Sequence, residues 1–260
     1  MARKPFPTID PRIGNDRVGL MISRQQVEHL GHSAIKAQMM LDNATNILGS
    51  GSSEKAGVPG NPLSPDQKLR AQKGLWGDSF KMVFLQDIGA TDRTTDWADY
   101  VFDRIRSHQM PEPTDFYAGS THEARWYESH FAFAKGDPTG VRGNFQFWEN
   151  PVTGKRLHIL DRTKHLPISS SEVRDLIERR DDTWKSFVPA RLWDFYEWEY
   201  PPHLRVAITW DGEDFPPSDR HPVGTTCIRT AHPALVWSLR DDGKWRVRDP
   251  KEAGLKSLGD

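Results

Sequence analysis

His29-Leu30-Gly31-His32 sets two imidazoles around a glycine. Imidazoles can donate hydrogen bonds to phosphate oxygens, and a glycine between them permits close backbone approach to a ligand. Ser23 and Arg24 stand just upstream. The guanidinium of Arg24 offers a planar fork that matches phosphate oxygens. A second group lies far along the chain, in Ile168-Ser169-Ser170-Ser171-Glu172-Val173-Arg174. Val173, Leu176 and Ile177 form the apolar face of a helix starting there. Serine hydroxyls and unpaired N–H groups at a helix start, with an arginine one turn inside, make an anion cradle. Each group also has a plain structural reading: a strand–turn–helix with two incidental histidines, and a capped helix with a solvated arginine. A zinc site is disfavoured, because two histidines need further ligands and the single cysteine, Cys227, is remote in sequence.

The elements that must position these groups are legible as an alternation. Val18 to Ile22, Asn46 to Leu48, Met82 to Leu85, Asp115 to Ala118 and Leu157 to Leu160 are short apolar runs that read as strands. Helices are predicted over 32–43, with Ile35, Met39 and Met40 on one face, and from Ser64-Pro65-Asp66 onward. Further helices are predicted over 95–107, 121–129, 169–179 and 189–198. Strands alternating with helices imply a parallel α/β sheet, Rossmann-like and covered on both faces. Ligands on such sheets sit at the carboxyl ends of the strands. The glycine- and proline-rich stretch 135–155 reads as an excursion or hairpin.

Residues 1–16 read as an irregular lead-in, 17–202 as the main α/β domain, and 203–260 as a small β-rich appendage of unassigned role. In the appendage, 204–210, 225–230, 234–239 and 244–248 are the expected strands. Net charge is −1 and no basic stripe interleaves with aromatics, so nucleic-acid binding is not expected. No apolar run reaches the ~18 residues of a membrane span, and one thiol cannot form an internal disulfide. A cytoplasmic protein without membrane partners is the expectation. Homo-oligomer formation is left open.

Taken together, the two groups resemble the nucleotidyltransferase superfamily marked by His-x-Gly-His and Ile-Ser-Ser/Gly-Ser/Thr-x-x-Arg. The match is closer to one branch, the archaeal-type nicotinamide mononucleotide (NMN) adenylyltransferases with their bacterial and phage relatives. Arg24, Gln26, His29, Gly31 and His32 fall in place on its Gly-Arg-Phe-Gln-Pro-x-His-x-Gly-His signature. Ser23 replaces the glycine, Gln25 the phenylalanine and Val27 the proline. Leu48-Gly49-Ser50 with Asn61-Pro62-Leu63-Ser64 resembles a further segment of that branch. Phe84-Leu85-Gln86-Asp87-Ile88 followed by Trp97 resembles another, at longer spacing. The resemblance spans roughly residues 17–200. Some relatives carry a C-terminal Nudix hydrolase domain, whose glycine- and glutamate-rich box is not found after residue 200.

The resemblance implies adenylyl transfer from ATP to NMN, giving NAD and pyrophosphate. It implies that His29 and His32 contact the reacting phosphates, with Arg24 beside them. It implies that Arg174 and Ser169, Ser170 and Ser171 hold the β- and γ-phosphates of ATP. Trp97 would stack on the nicotinamide ring and Asp87 would bind polar groups of NMN. Mg²⁺ would accompany ATP, with no dedicated protein ligands. A sister transferase using phosphopantetheine or flavin mononucleotide, or a non-catalytic nucleotide sensor, are the competing readings.

Overall fold

A computed structural model describes residues 16–89, 94–127, 137–164, 168–233 and 235–248, without the side chains of 94, 95 and 126. The lead-in 1–15 and the end of the helix expected over 121–129 lie outside them. Seven strands form one sheet: β1 (Val18–Ser23), β2 (Thr45–Ser50), β3 (Lys81–Phe84), β4 (Asp115–Ala118), β5 (Gly140–Arg142), β6 (Phe145–Glu149) and β7 (Arg156–Leu160). Their order is β3-β2-β1-β4-β7-β6-β5. The pairs among β3, β2, β1, β4 and β7 are parallel. The helices are α1 (Leu30–Asp42), α2 (Pro65–Trp76), α3 (Thr94–Ser107), α4 (Thr121–Ala124), α5 (Ser170–Glu178) and α6 (Trp193–Glu199).

Side chains alternate across β1, so its two faces pack differently. Val18 and Leu20 join Val101, Phe102 and Ile105 of α3, whereas Met21 joins Ile35 and Met39 of α1. The sheet is thus covered on both faces, as the alternation requires. A third cluster lies between α2, α5 and α6, with Val27, Ala71, Val173, Ile177 and Tyr196 at its centre. The chain winds outward from β1 through β2 to β3, then returns to the other flank of β1 with β4. The order reverses between β1 and β4, and in open α/β sheets that reversal opens a crevice at the strand carboxyl ends.

The stretch 135–155, expected as an excursion or hairpin, holds the β5–β6 hairpin, which turns through Gly143 at φ 59° and adds antiparallel strands to the same sheet edge. Other elements depart from the expectations. Met40 is 44% exposed, and Lys36 is buried on the inner side of α1 instead. An ion pair with Glu28 makes that burial tolerable. The helix expected over 189–198 opens as a 3₁₀ turn, Ala190–Leu192, before α6. The strand expected over 204–210 is shorter. A 3₁₀ turn at Pro202–Leu204 follows the Pro201-Pro202 pair, and only Ile208–Trp210 (β8) is extended.

β8 opens a second sheet with β9 (Thr226–Arg229), β10 (Val236–Leu239) and β11 (Trp245–Val247), in the order β11-β10-β9-β8. Val206 leads into it with both backbone groups anchored. Its N–H donates to the Glu178 carbonyl and its carbonyl accepts from Arg180 Nε, both at 2.8 Å.

Candidate functional site

The loop from β1 to α1 is pinned residue by residue. Ser23 Oγ accepts the Gln25 N–H at 3.2 Å, and Gln25 adopts φ 51°. Ser50 Oγ, at the matching end of β2, donates to the Arg24 carbonyl at 3.3 Å. Gln26 clamps the 61–63 segment, donating to Asn61 Oδ1 at 3.2 Å and accepting the Leu63 N–H at 2.8 Å. His29 caps α1, its Nδ1 accepting the Gly31 N–H at 3.1 Å. An accepting Nδ1 carries no proton, so the His29 proton sits on Nε2. A Cβ on residue 31 would lie 2.9 Å from His29 Cε1, so glycine accommodates this cap without a shift of the His29 ring.

The His32 ring stacks on His29 with centroids 4.1 Å apart. Its Nδ1 is buried and has no partner among the described residues. Burial holds the His32 pKa well below the usual imidazole value, and the charges of His29, Lys36 and Arg162 lower it further. His32 is therefore neutral near pH 7, a hydrogen-bonding group that can gain a proton when negative charge arrives.

A buried polar network underlies the loop. Lys36 pairs with Glu28 and donates to Gln25 Oε1 at 2.9 Å and Gln72 Oε1 at 2.8 Å. Glu28 also accepts from Gln72 Nε2 at 3.2 Å and Ser33 Oγ at 3.1 Å. Tyr196 reaches across from α6, its hydroxyl accepting the Glu28 N–H at 2.8 Å. Burial lowers the Lys36 pKa, against which Glu28 acts.

The three serines at α5 divide their work. Ser169 caps the helix in a capping box with Glu172: Ser169 Oγ accepts the Glu172 N–H at 3.2 Å, and Glu172 Oε2 accepts the Ser169 N–H at 2.7 Å. Ser170 Oγ donates to the Val27 carbonyl at 3.4 Å, joining α5 to the β1–α1 loop. Ser171 Oγ accepts from Arg174 Nη2 at 3.0 Å.

Both groups line one cavity of about 640 Å³, at the crevice between the ends of β1 and β4. Ser23, Arg24, Gln25, Gln26, His29, Gly31 and His32 come from the first loop, and Ser169, Ser170, Ser171 and Arg174 from α5. Gly119, His122 and Glu123 follow β4, and Arg162 follows β7. Arg162 Nε donates to the Gly119 carbonyl at 2.7 Å, and the Gly119 N–H donates to Glu123 Oε2 at 2.8 Å. Arg24, Arg162 and Arg174 have no carboxylate at ion-pair distance among the described residues. Among the described residues, Glu123 is the only carboxylate that lines the cavity. Three guanidiniums against one carboxylate make it a site for a polyanion.

Arg162, Glu123, His122 and Gln25 were not among the sequence candidates. The signal available was position: Arg162 lies two residues past the end of β7, His122 and Glu123 lie in α4 just after β4, and Gln25 sits beside a candidate. Two candidates are not brought to the cavity. Trp97 is half-buried against the core on the α3 side, its ring 5.5 Å from that of Tyr100. Asp87 pairs with Lys55 at 2.5 Å and accepts from Ser52 Oγ at 2.9 Å. Those contacts, led by the Lys55 hydrogen bond, hold its carboxyl below the usual range.

Lys68 is fully buried beside the loop, and its Nζ donates to Ser50 Oγ at 3.3 Å. Burial, opposed by Glu54 and reinforced by Arg24, brings its pKa from 10.5 down to about 8. The folded value lies below the unfolded one, so the unfolded chain holds more protons between them and stability rises with pH across that window. A shift of this size corresponds to about 3 kcal/mol, and losing the Ser50 contact returns about 1 kcal/mol. Lys68→Met is therefore expected to stabilise the fold by about 2 kcal/mol at pH 7. Chemical denaturation at pH 7 and pH 10.5 checks this. The gain should vanish at the higher pH, and a gain independent of pH would show that the ammonium is not penalised.

No protein-family model and no curated protein matches the chain. Among solved structures it is similar to NadR protein in complex with NAD and AMP-PNP, at 15% identity, covering 75% of this chain and 48% of that one, with a TM-score of 0.46. NadR in complex with NR is similar at 16% identity, 75% and 47% coverage and a TM-score of 0.47. A bifunctional NMN adenylyltransferase/ADP ribose pyrophosphatase from Francisella tularensis, complexed with AMP and an Mn ion, is similar over 62% of this chain and 41% of that one. Its identity is 16% and its TM-score 0.42. The chain spans less than half the length of each of these structures.

Proposed function

We propose that this chain transfers an adenylyl group from ATP to NMN, giving NAD and pyrophosphate. One observation carries the reading: His29-x-Gly31-His32 and Ser169-Ser170-Ser171-x-x-Arg174 meet in a single cationic cavity at the strand-order reversal. A phosphate oxygen of NMN attacks the α-phosphorus of ATP. The bond from that phosphorus to the oxygen bridging to the β-phosphate breaks, and pyrophosphate leaves with the bonding electrons. The second pKa of a phosphomonoester is about 6, so the nucleophile is already ionised at neutral pH and needs no catalytic base. Catalysis then rests on positioning and on charge stabilisation.

His29 Nε2–H donates to a reacting phosphate, and His32 adds a second imidazole stacked beside it. Arg174, held by Ser171, meets the departing pyrophosphate together with the free N–H groups that open α5. Arg24 and Arg162 close the cationic wall. Among the described residues no group of three or more His, Cys, Asp or Glu could hold a metal ion. With Glu123 as the one lining carboxylate among the described residues, magnesium would be held mainly by the phosphates of ATP and by water, and would neutralise part of the triphosphate charge.

The position of Trp97 favours a second reading of the acceptor. An indole packed outside the cavity removes a recognition element specific to nicotinamide, which leaves a transferase acting on another phosphomonoester. Incubation with ATP, Mg²⁺ and a panel of NMN, phosphopantetheine and flavin mononucleotide, followed by pyrophosphate release, separates these. Release with NMN and formation of NAD is the expected outcome. Release with another acceptor alone would reassign the substrate, and ATP binding without release would leave a sensor.

A further inference from the structure

Gln25 stands where the resembled signature carries phenylalanine, and the residue is only 3% exposed. Its amide orientation is chemically fixed. Lys36 Nζ donates to Oε1 at 2.9 Å, and an ammonium can only face the oxygen. Nε2 therefore faces the other way, and it has no acceptor among the described residues. Buried donors without partners are rare in folded proteins and mark places where a ligand or water completes the bonding. The backbone adds a second mark. Gln25 adopts φ 51°, a conformation that residues other than glycine seldom take and that clusters at ligand sites. The Ser23 Oγ contact to its N–H holds that conformation.

Gln25 also lines the cavity, between Arg24 and Gln26. Lys36, which orients the amide, lies one turn along α1 from His32, whose Nδ1 is the other unpartnered buried atom there. The positive charge behind the carbonyl oxygen polarises the amide and strengthens its N–H groups as donors. The acceptor that best meets them is an anionic oxygen, because the surrounding guanidiniums lack carboxylate partners among the described residues. We infer that the Gln25 side-chain amide donates a hydrogen bond to a phosphate oxygen of a bound substrate, with Lys36 as the residue that positions it. The inference rests on the adenylyl-transfer reading and adds a binding residue to it.

The test is calorimetric titration of ATP and of NMN onto the full chain, as wild type, Gln25→Met and Gln25→Glu, with a thermal melt for each. Gln25→Met keeps the side-chain shape and leaves Lys36 its contacts to Glu28 and Gln72. It is expected to weaken binding of at least one ligand about tenfold, the usual scale for a hydrogen bond to a charged group. Gln25→Glu keeps an oxygen for Lys36 but replaces the donor by an anion, and is expected to weaken binding further through repulsion. If Gln25→Glu holds both ligands as tightly as wild type, the amide serves only as an acceptor for Lys36 and the inference fails. Should Gln25→Glu not fold, unchanged affinities in Gln25→Met overturn it equally. Failure of the underlying reading looks different, because the wild type itself would then bind neither ATP nor NMN.

Discussion

His32→Ala is expected to lower turnover about a hundredfold while leaving the protein folded. Removal of one preorganised contact to a reacting phosphate typically costs ~3 kcal/mol of activation energy. The ring is half-buried at the cavity wall, and its Nδ1 supports no other residue. Its deletion therefore takes little from the fold beyond the stack on His29. Steady-state pyrophosphate release beside a thermal melt is the measurement. A variant that melts far below wild type and keeps its rate when folded would make His32 a packing residue and remove it from the mechanism.

Glu28→Leu is expected to be the most destabilising single change near the site. It leaves the Lys36 ammonium buried with two amide oxygens and no counter-charge. Breaking a buried pair by removing one partner costs about 3–5 kcal/mol. Ser33 and Gln72 lose an acceptor in the same step. The double change Glu28→Leu with Lys36→Met should recover most of the loss, because an apolar replacement of both partners removes the unpaired charge. Urea denaturation of the two variants checks this. A single variant within 1 kcal/mol of wild type would mean that Lys36 finds another counter-charge or neutralises without penalty.

The sheet was legible in the sequence because its strands are apolar runs and its helices carry amphipathic spacing. The start of α2 at Ser64-Pro65-Asp66 was legible for the same kind of local reason, and the structure adds a capping box in which Ser64 and Gln67 satisfy each other within one turn. The buried network was not. Lys36 has the type of a surface residue, and only the fold brings Glu28, Gln25 and Gln72 to its head group. The serines at α5 were read as one cradle, yet each has a separate partner. Ser170 finds its partner at Val27, 143 residues away, beyond the reach of any local pattern. Arg162 was overlooked because a lone arginine after a strand is ordinary, and its meaning comes from where β7 sits in the sheet. Trp97 and Asp87 were placed through the looser, longer-spaced part of the resemblance, and both lie outside the cavity.

The bond from Ser170 to Val27 also bears on how the protein is made. A ribosome delivers the histidine loop long before α5 emerges, and contacts so distant in sequence close late. Until then the emerging polypeptide has only one of the two halves of the cavity. A ligand that needs both halves therefore binds the finished fold in preference to any earlier state. Above its dissociation constant it would raise the stability of the whole molecule with the logarithm of its concentration, acting as a chaperone for its own binding site.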